Sequence, residues 1–205
     1  MDYNDHMKLK DNFHPFAIMT ILFWSLAYVF TRLALRYFSP FSLGFLRYFI
    51  ASIVLLIIVM FIKIKIPQKN DLKWFILSGF FGFFFYMIAF NIGSVSVTAS
   101  TSSIIIATTP IITTLLARIF FKEKLKIIQY IAIIIQFIGV GILTLMNGIF
   151  SINKGLIWII LASVSLSIYN LLQRKLTKTY SAINSVIINI LFGTIMLLVF
   201  LPKSI

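Results

Sequence analysis

Of 205 residues, 60% are hydrophobic and 11% are charged, whereas a water-soluble domain carries about 45–50% apolar and about 25% charged residues. That balance excludes an ordinary globular domain, and it equally excludes a disordered chain, whose hydrophobicity is low. Eighteen Lys and Arg oppose five acids, a net charge of +13; with no soluble domain to present a basic face, the charge points to a membrane rather than to nucleic acid. Cysteine is absent, which removes disulfides, thiolate metal sites and cysteine nucleophiles.

In chain order, residues 1–14 form a polar tail expected on the cytoplasmic side. It carries Asp2, Asp5 and Asp11 and precedes an apolar run longer than the 7–15 residues of a signal peptide, so a cleaved leader is not expected. A helix needs about 20 mainly apolar residues to cross the hydrocarbon core. Seven stretches meet that need: Pro15–Leu35, Phe41–Ile62, Trp74–Ile92, Val97–Phe121, Ile127–Met146, Leu156–Leu172 and Ala182–Leu201. Runs such as Ile131-Ala132-Ile133-Ile134-Ile135 are continuously apolar and lack the alternation of barrel strands. The expected fold is therefore an all-α polytopic membrane helical bundle of about seven transmembrane helices.

Cations set the expected orientation, because cytoplasmic loops are enriched in Lys and Arg. With the N-terminus in the cytoplasm, the inner segments hold twelve: Lys8 and Lys10, Lys63, Lys65, Lys69 and Lys73, Lys122, Lys124 and Lys126, and Arg174, Lys175 and Lys178. The outer segments hold Arg36, Lys154 and Lys203, and three more, Arg32, Arg47 and Arg118, lie within spans. This predicts a multi-pass protein of the cell membrane with its N-terminus inside and its C-terminus outside.

An internal match appears at an offset of 142 residues. Ser25 falls on Ser167, Arg32 on Arg174, Arg36 on Lys178, Phe38 on Tyr180, Ser39 on Ser181 and Arg47 on Asn189. Ser25, Tyr28 and Arg32 share one helical stripe, and Ser167, Asn170 and Arg174 repeat its spacing. An offset of five spans reverses direction in the membrane, so these are expected to be inverted repeats, an arrangement of secondary transporters that holds the substrate near the midplane between the halves. The first five-helix repeat would occupy 15–146, and 147–205 would hold the first two helices of a second, incomplete one.

The residues that carry a resemblance are Phe23-Trp24-Ser25-Leu26-Ala27-Tyr28-Val29-Phe30-Thr31-Arg32, then Tyr37-Phe38-Ser39-Pro40 and Leu46-Arg47-Tyr48, then Ala89-Phe90-Asn91, Val97-Thr98-Ala99-Ser100, Thr109-Pro110-Ile111-Ile112 and Phe121-Lys122-Glu123-Lys124-Leu125. In order and spacing they resemble the EamA family of the drug/metabolite transporter superfamily, with Ser25 in place of the usual Gly, Ala27 of Asn and Tyr28 of Phe. The resemblance implies ten helices in two inverted repeats and export of small metabolites such as amino acids by alternating access. It covers one five-helix unit and two helices of the next. The alternative expectation is accordingly a truncated, inactive fragment, or a structural subunit completed by a partner or a second copy.

Within the spans, an Arg at membrane depth costs about 2.5–3.5 kcal/mol on insertion scales and is rarely idle. Arg47, seven residues into the second span, is a candidate anchor for a substrate carboxylate, and Arg32 is a candidate gate. Ser25, Tyr28, Tyr86, Asn91, Ser167, Asn170 and Asn189 are the other candidates for a cavity bordered by spans 1, 2, 3, 4, 6 and 7. Pro110 removes a backbone bond to Ile106 and marks a candidate hinge. Glu123, the only Glu, is expected to be structural, near the start of span 5 and able to pair with Lys126. No acid lies within a span, no pattern of a hydrolase, ATPase or metal site is present, and neither enzyme activity, a cofactor nor a bound metal is expected. The expected partners are a small-molecule substrate and the lipid bilayer.

Overall fold

The computed structural model describes residues 13–146 and 154–203; the acidic tail residues Asp2, Asp5 and Asp11, and Lys8 and Lys10, lie outside them. The described chain is helical throughout and forms a polytopic bundle. Its helices are α1 (Phe13–Ala34), α2 (Pro40–Val59), α3 (Lys69–Gly79), a π-helical segment (Phe80–Phe85), α4 (Tyr86–Ser96), α5 (Ala99–Ile106), α6 (Thr109–Phe121), α7 (Ile127–Met146), α8 (Lys154–Leu176) and α9 (Ala182–Leu197), followed by a 3-10 turn (Leu198–Lys203). Six stretches are long and apolar enough to cross a membrane, among them Lys69–Ser96 and Ala99–Phe121, and Ile127–Gly139, within α7, is a shorter apolar helix.

Local signals set the ends. Ser39 and Ser181 accept the backbone N–H of Ser42 and Asn184 at 3.1 and 3.2 Å, and Thr98 caps α5 through Thr101 at 3.1 Å; each satisfies one of the donors a helix start leaves unpaired. Pro40 and Pro110 sit in the first turns of α2 and α6, where a missing N–H costs nothing. Lys122 ends α6 in the left-handed region at φ 53°.

Span 3 runs unbroken from Lys69 to Ser96, five residues earlier and four later than its apolar core suggests. It packs along α8 and α9. Two glycines allow the closest approach: a Cβ on Gly93 would sit 2.6 Å from Ile159 Cδ1, and one on Gly155 would sit 2.9 Å from the Gly93 carbonyl oxygen. Small residues of this kind let membrane helices pack through dispersion contacts, which replace the hydrophobic driving force available in water.

The two ends differ. At one, Asn184 bridges the backbone N–H and C=O of Lys65 at 2.9 and 2.7 Å, Tyr180 accepts from the Gln68 N–H and donates to Asp71, Glu123 pairs with Arg174 at 2.8 Å, and Lys175 lies over the Trp74 ring. These contacts gather the α2–α3, α6–α7 and α8–α9 connections, and with them ten of the twelve cations expected to be cytoplasmic, at a single end. At the other end Arg32 donates to the Val97 carbonyl and Asn91 to the Pro40 carbonyl at 2.8 Å. The expected Glu123–Lys126 pairing is thus replaced by Glu123–Arg174, because α8 brings its last turn against the α6–α7 connection.

The 142-residue match is visible in the backbone. α1 ends at Ala34 and α8 at Leu176, and the following turns repeat one ladder: Leu35 to Thr31, Arg36 to Leu33, and Tyr37 and Phe38 to Ala34, against Thr177 to Gln173, Lys178 to Lys175, and Thr179 and Tyr180 to Leu176. One hairpin closes at each end, so matched helices run in opposite directions. Ser52 and Thr194, themselves 142 apart, meet hydroxyl to hydroxyl at 2.8 Å.

Gly155→Ala is expected to lower the thermal unfolding midpoint in detergent, by an overpacking cost of about 1–3 kcal/mol. Gly139→Ala, where a Cβ meets nothing within 4 Å, serves as the control and should not lower it.

Candidate functional site

A cavity of about 350 Å³ lies between α1, α2, span 3, α8 and α9, within the range of small-molecule sites. From α1 come Trp24, Ala27, Tyr28 and Thr31; from α2, Arg47 and Tyr48. Span 3 supplies Gly82, Phe83, Tyr86, Met87 and Phe90, while Leu166 and Tyr169 of α8 and Val186 of α9 close the far wall.

The π segment shapes that wall. Its wider turn changes which residues of span 3 face inwards, and such segments are frequent at functional sites. A Cβ on Gly82 would lie 2.7 Å from Tyr169 Cγ, so the glycine admits the tyrosine ring. Phe83 meets Tyr169 edge-on at 5.4 Å and Tyr48 at 5.4 Å; Phe90 is stacked on Tyr86 at 5.8 Å and meets Tyr28 edge-on at 5.6 Å. The lining is a cage of aromatic planes with phenolic hydroxyls among them.

One charge faces this cage. Arg47 lies about 10 Å along α2 from its start, at 1.5 Å per residue. Its Nη1 donates to Thr31 Oγ1 at 2.9 Å and reaches the Met87 sulfur at 3.8 Å. Neither partner is charged, and among the described residues the one ion pair is Glu123–Arg174.

Of the residues singled out in the sequence, Tyr28, Arg47 and Tyr86 meet here. The others lie outside the cavity, each for a physical reason. Ser25 is exposed and returns its hydroxyl to the Ile21 carbonyl. Arg32 turns to the Val97 carbonyl, and Asn91, fully buried, spends its amide on Pro40. Ser167, also buried, bonds the Thr109 and Ser163 carbonyls at 3.1 and 2.8 Å. Asn170 is exposed. Asn189 is buried and donates to Gln173 at 3.0 Å. Span 4 contributes no lining residue: Thr109 meets Ser163 of α8 at 3.1 Å, while Thr98 bonds Thr101, and Ser103 and Thr114 bond carbonyls of their own span. Thr31, Tyr48 and Tyr169 were not singled out. Thr31 and Tyr48 flank the two arginines in sequence, and Tyr169 lies three residues after Leu166 on one helical face.

Pro110 does mark a break. α5 stops at Ile106 and α6 begins at Thr109. The carbonyls left without their helical partners are met by side chains: Thr108 on Ile105 at 2.6 Å, Thr109 on Ile106 at 2.6 Å and Gln136 on Ala107. Glu123 sits at the basic end, far along the chain from any cavity residue, paired with Arg174.

A model of the EamA-like transporter family matches residues 14–145. This chain belongs to that family. It is 34% identical over 180 residues to uncharacterized transporter YdfC of Bacillus subtilis, covering 87% of this chain and 59% of the relative. It is 26% identical over 189 residues to a protein of Streptantibioticus cattleyicolor named "Probable terminal-alkyne amino-acid exporter" (92% and 63%), and 27% identical over 149 residues to an S-adenosylmethionine uptake transporter of Rickettsia bellii (70% and 49%). The chain thus spans about three fifths of the curated relatives it matches most extensively. No solved structure matches it. The family is one of membrane transporters, and the cavity lies inside the bundle, lined by five of its helical segments.

The two buried-side arginines separate in their expected effect on stability. Arg32→Gln should destabilise the protein by about 1.5–3 kcal/mol, the worth of a hydrogen bond made by a charged group. Arg47→Gln should leave the unfolding midpoint level or raise it, since it removes a charge without a charged partner. Thermal unfolding of both variants in detergent distinguishes them.

Proposed function

We propose that this EamA-like protein exports small metabolites, amino acids or related compounds, by alternating access. The observation that carries the reading is the aromatic cavity around Arg47, walled by both members of each matched hairpin pair and by span 3. A substrate bound between matched halves can be released to either side when the halves rock, with no need to move the site itself. The N-terminus is assigned to the cytoplasm, because ten of the cations on described residues gather at one end and positive charge is retained on the cytoplasmic face. Arg47 then lies in the outer part of the bundle, and the Lys65–Asn184 and Glu123–Arg174 contacts in the inner part.

A second reading is favoured by an asymmetry of burial. α8 and α9 each bury eight residues. Their matched partners α1 and α2 bury one, Thr31, and three, among the described side chains. The difference arises because span 3 packs more extensively on α8 and α9 than on α1 and α2, and no other described helix covers α1 and α2 to the same extent. Under this reading the chain acts as a subunit, with further helices, from a partner or a second copy, covering the α1–α2 face.

The absence of cysteine makes single-cysteine probes clean. Ala27→Cys is expected to react with a membrane-impermeant thiol reagent from either face of sealed, oriented vesicles, the two rates shifting in opposite senses as the carrier changes state. Reaction from one face alone, under gradients of either direction, would rule out alternating access. For the second reading, Phe23→Cys on the exposed face of α1 should crosslink within a complex in the membrane; a freely labelled cysteine in an actively transporting monomer would refute it.

A further inference from the structure

We propose that the cargo is an organic monoanion: a carboxylic acid with a flat apolar body and no free ammonium group, held by Arg47. The inference rests on the carrier reading and narrows it from amino acids and related compounds to acids of a single charge.

The charge inventory comes first. Among the described residues, Arg47 is the only charged one that lines the cavity. The two acids among the described residues are elsewhere: Asp71 accepts from the Tyr180 hydroxyl and Glu123 pairs with Arg174. The cavity therefore offers one positive charge and no negative one. A charge held at membrane depth without a counter-charge is costly, and a carboxylate arriving on the cargo supplies the missing partner.

The geometry of the guanidinium agrees. Both of its contacts to described residues, to Thr31 and Met87, are made by Nη1. The rest of the fork is left for bidentate pairing with a planar carboxylate, the geometry in which Arg is strongest. Thr31 holds the guanidinium from α1, so the charge belongs to the pocket between α1 and α2 rather than to solvent beyond the bundle.

The walls decide the other half of the cargo. Tyr86, Phe90, Tyr28 and Trp24 present faces and edges of rings, and flat ligands stack on such planes with offset or edge-on geometry. An amino acid would bring an ammonium group beside its carboxylate. That ammonium would sit near Arg47, a like charge, and would meet no carboxylate of the cavity. The aromatic faces return part of the loss as a cation–π contact, but this leaves the repulsion from Arg47 in place. Removing the ammonium is thus expected to tighten binding, and removing the carboxylate's charge to weaken it.

The test uses the full chain in nanodiscs and matched triplets of ligands: 3-phenylpropionate, 3-phenylpropanamide and phenylalanine, with the corresponding indolyl and isobutyl sets to cover body size. Binding is measured by isothermal titration calorimetry. In the best-fitting set, the acid is expected to bind at least tenfold more tightly than both the amide and the amino acid. Arg47→Gln should bring acid and amide within about threefold of each other, while Arg47→Lys keeps the order with weaker binding. If no acid in any set binds more tightly than its amide, or if the amino acid equals or exceeds the acid, the proposal is overturned. Should Arg47→Gln fail to fold, the wild-type comparison within each triplet still decides. Flux of the same compounds in proteoliposomes separates the two readings: an acid that binds but does not cross defeats the carrier and leaves the cargo class standing, whereas selective passage of amides or amino acids defeats the cargo class and leaves the carrier.

Discussion

The bundle is organised by the close crossing of span 3 with α8. At Gly93 and Gly155 the two backbones approach within the space a single methyl group would occupy, and apolar lipid provides no competing drive to push helices together, so this contact has to come from shape. Its consequences run along the helix. With Gly93 fixed, Phe90, Tyr86 and Met87 are carried to the inner side one turn and two turns earlier. In the π segment Gly82 and Phe83 both meet Tyr169, the glycine leaving room for the ring and the phenylalanine meeting it edge-on. The cavity lies between this span 3–α8 contact and the α1 and α2 residues that complete its lining.

Two groups of polar side chains inside the bundle differ in their partners. In the first, hydroxyls and amides bond a neighbouring helix or a carbonyl opened in their own span. Thr109, Ser163 and Ser167 tie span 4 to α8, Ser52 meets Thr194, and the carbonyls opened at the Pro110 break are closed by Thr108, Thr109 and Gln136. A medium without water requires this. The second set is Arg47 with the phenols around the cavity, and there the requirement is not met from within: the guanidinium has hydrogen-bonding partners but no counter-charge. Such an arrangement weakens the bundle slightly and is retained where a ligand completes it.

That division also explains how far the sequence could be read. Helices were legible because length and hydropathy in a bilayer admit few alternatives, and the hairpin repeat was legible because Ser39 and Ser181 cap matched helices. Arg47 was legible because charge at that depth is expensive. Ser167, Asn189 and Asn91 misled, since a short polar side chain in a membrane helix looks the same whether it faces a cargo or a neighbouring carbonyl; only packing shows that Asn91 meets Pro40 and Ser167 meets Thr109. Tyr169 was missed beside Asn170 because one residue is about 100° of rotation on a helix, and the facing direction of α8 is set by glycines on another span. The π segment carries no sequence mark beyond a phenylalanine-rich run, so the register of span 3 was open.

The matched arginines show how a repeat can carry different physics at its two ends. Arg32 and Arg174 occupy equivalent places in the last turns of α1 and α8, and each reaches the span 3–4–5 segment, Arg32 at the α4–α5 junction and Arg174 at the α6–α7 connection. The acceptor differs. Val97 offers a neutral carbonyl whose strength is indifferent to salt. Glu123 offers a carboxylate, and the Arg174–Glu123 pair, with side chains 57% and 38% exposed, is open to screening by ions within a Debye length of about 8 Å. One clasp is made between a charge and the backbone, where no side-chain substitution of the acceptor can remove it. The other is made between two side chains at the basic end, where it is weak enough to open without leaving either partner out of water.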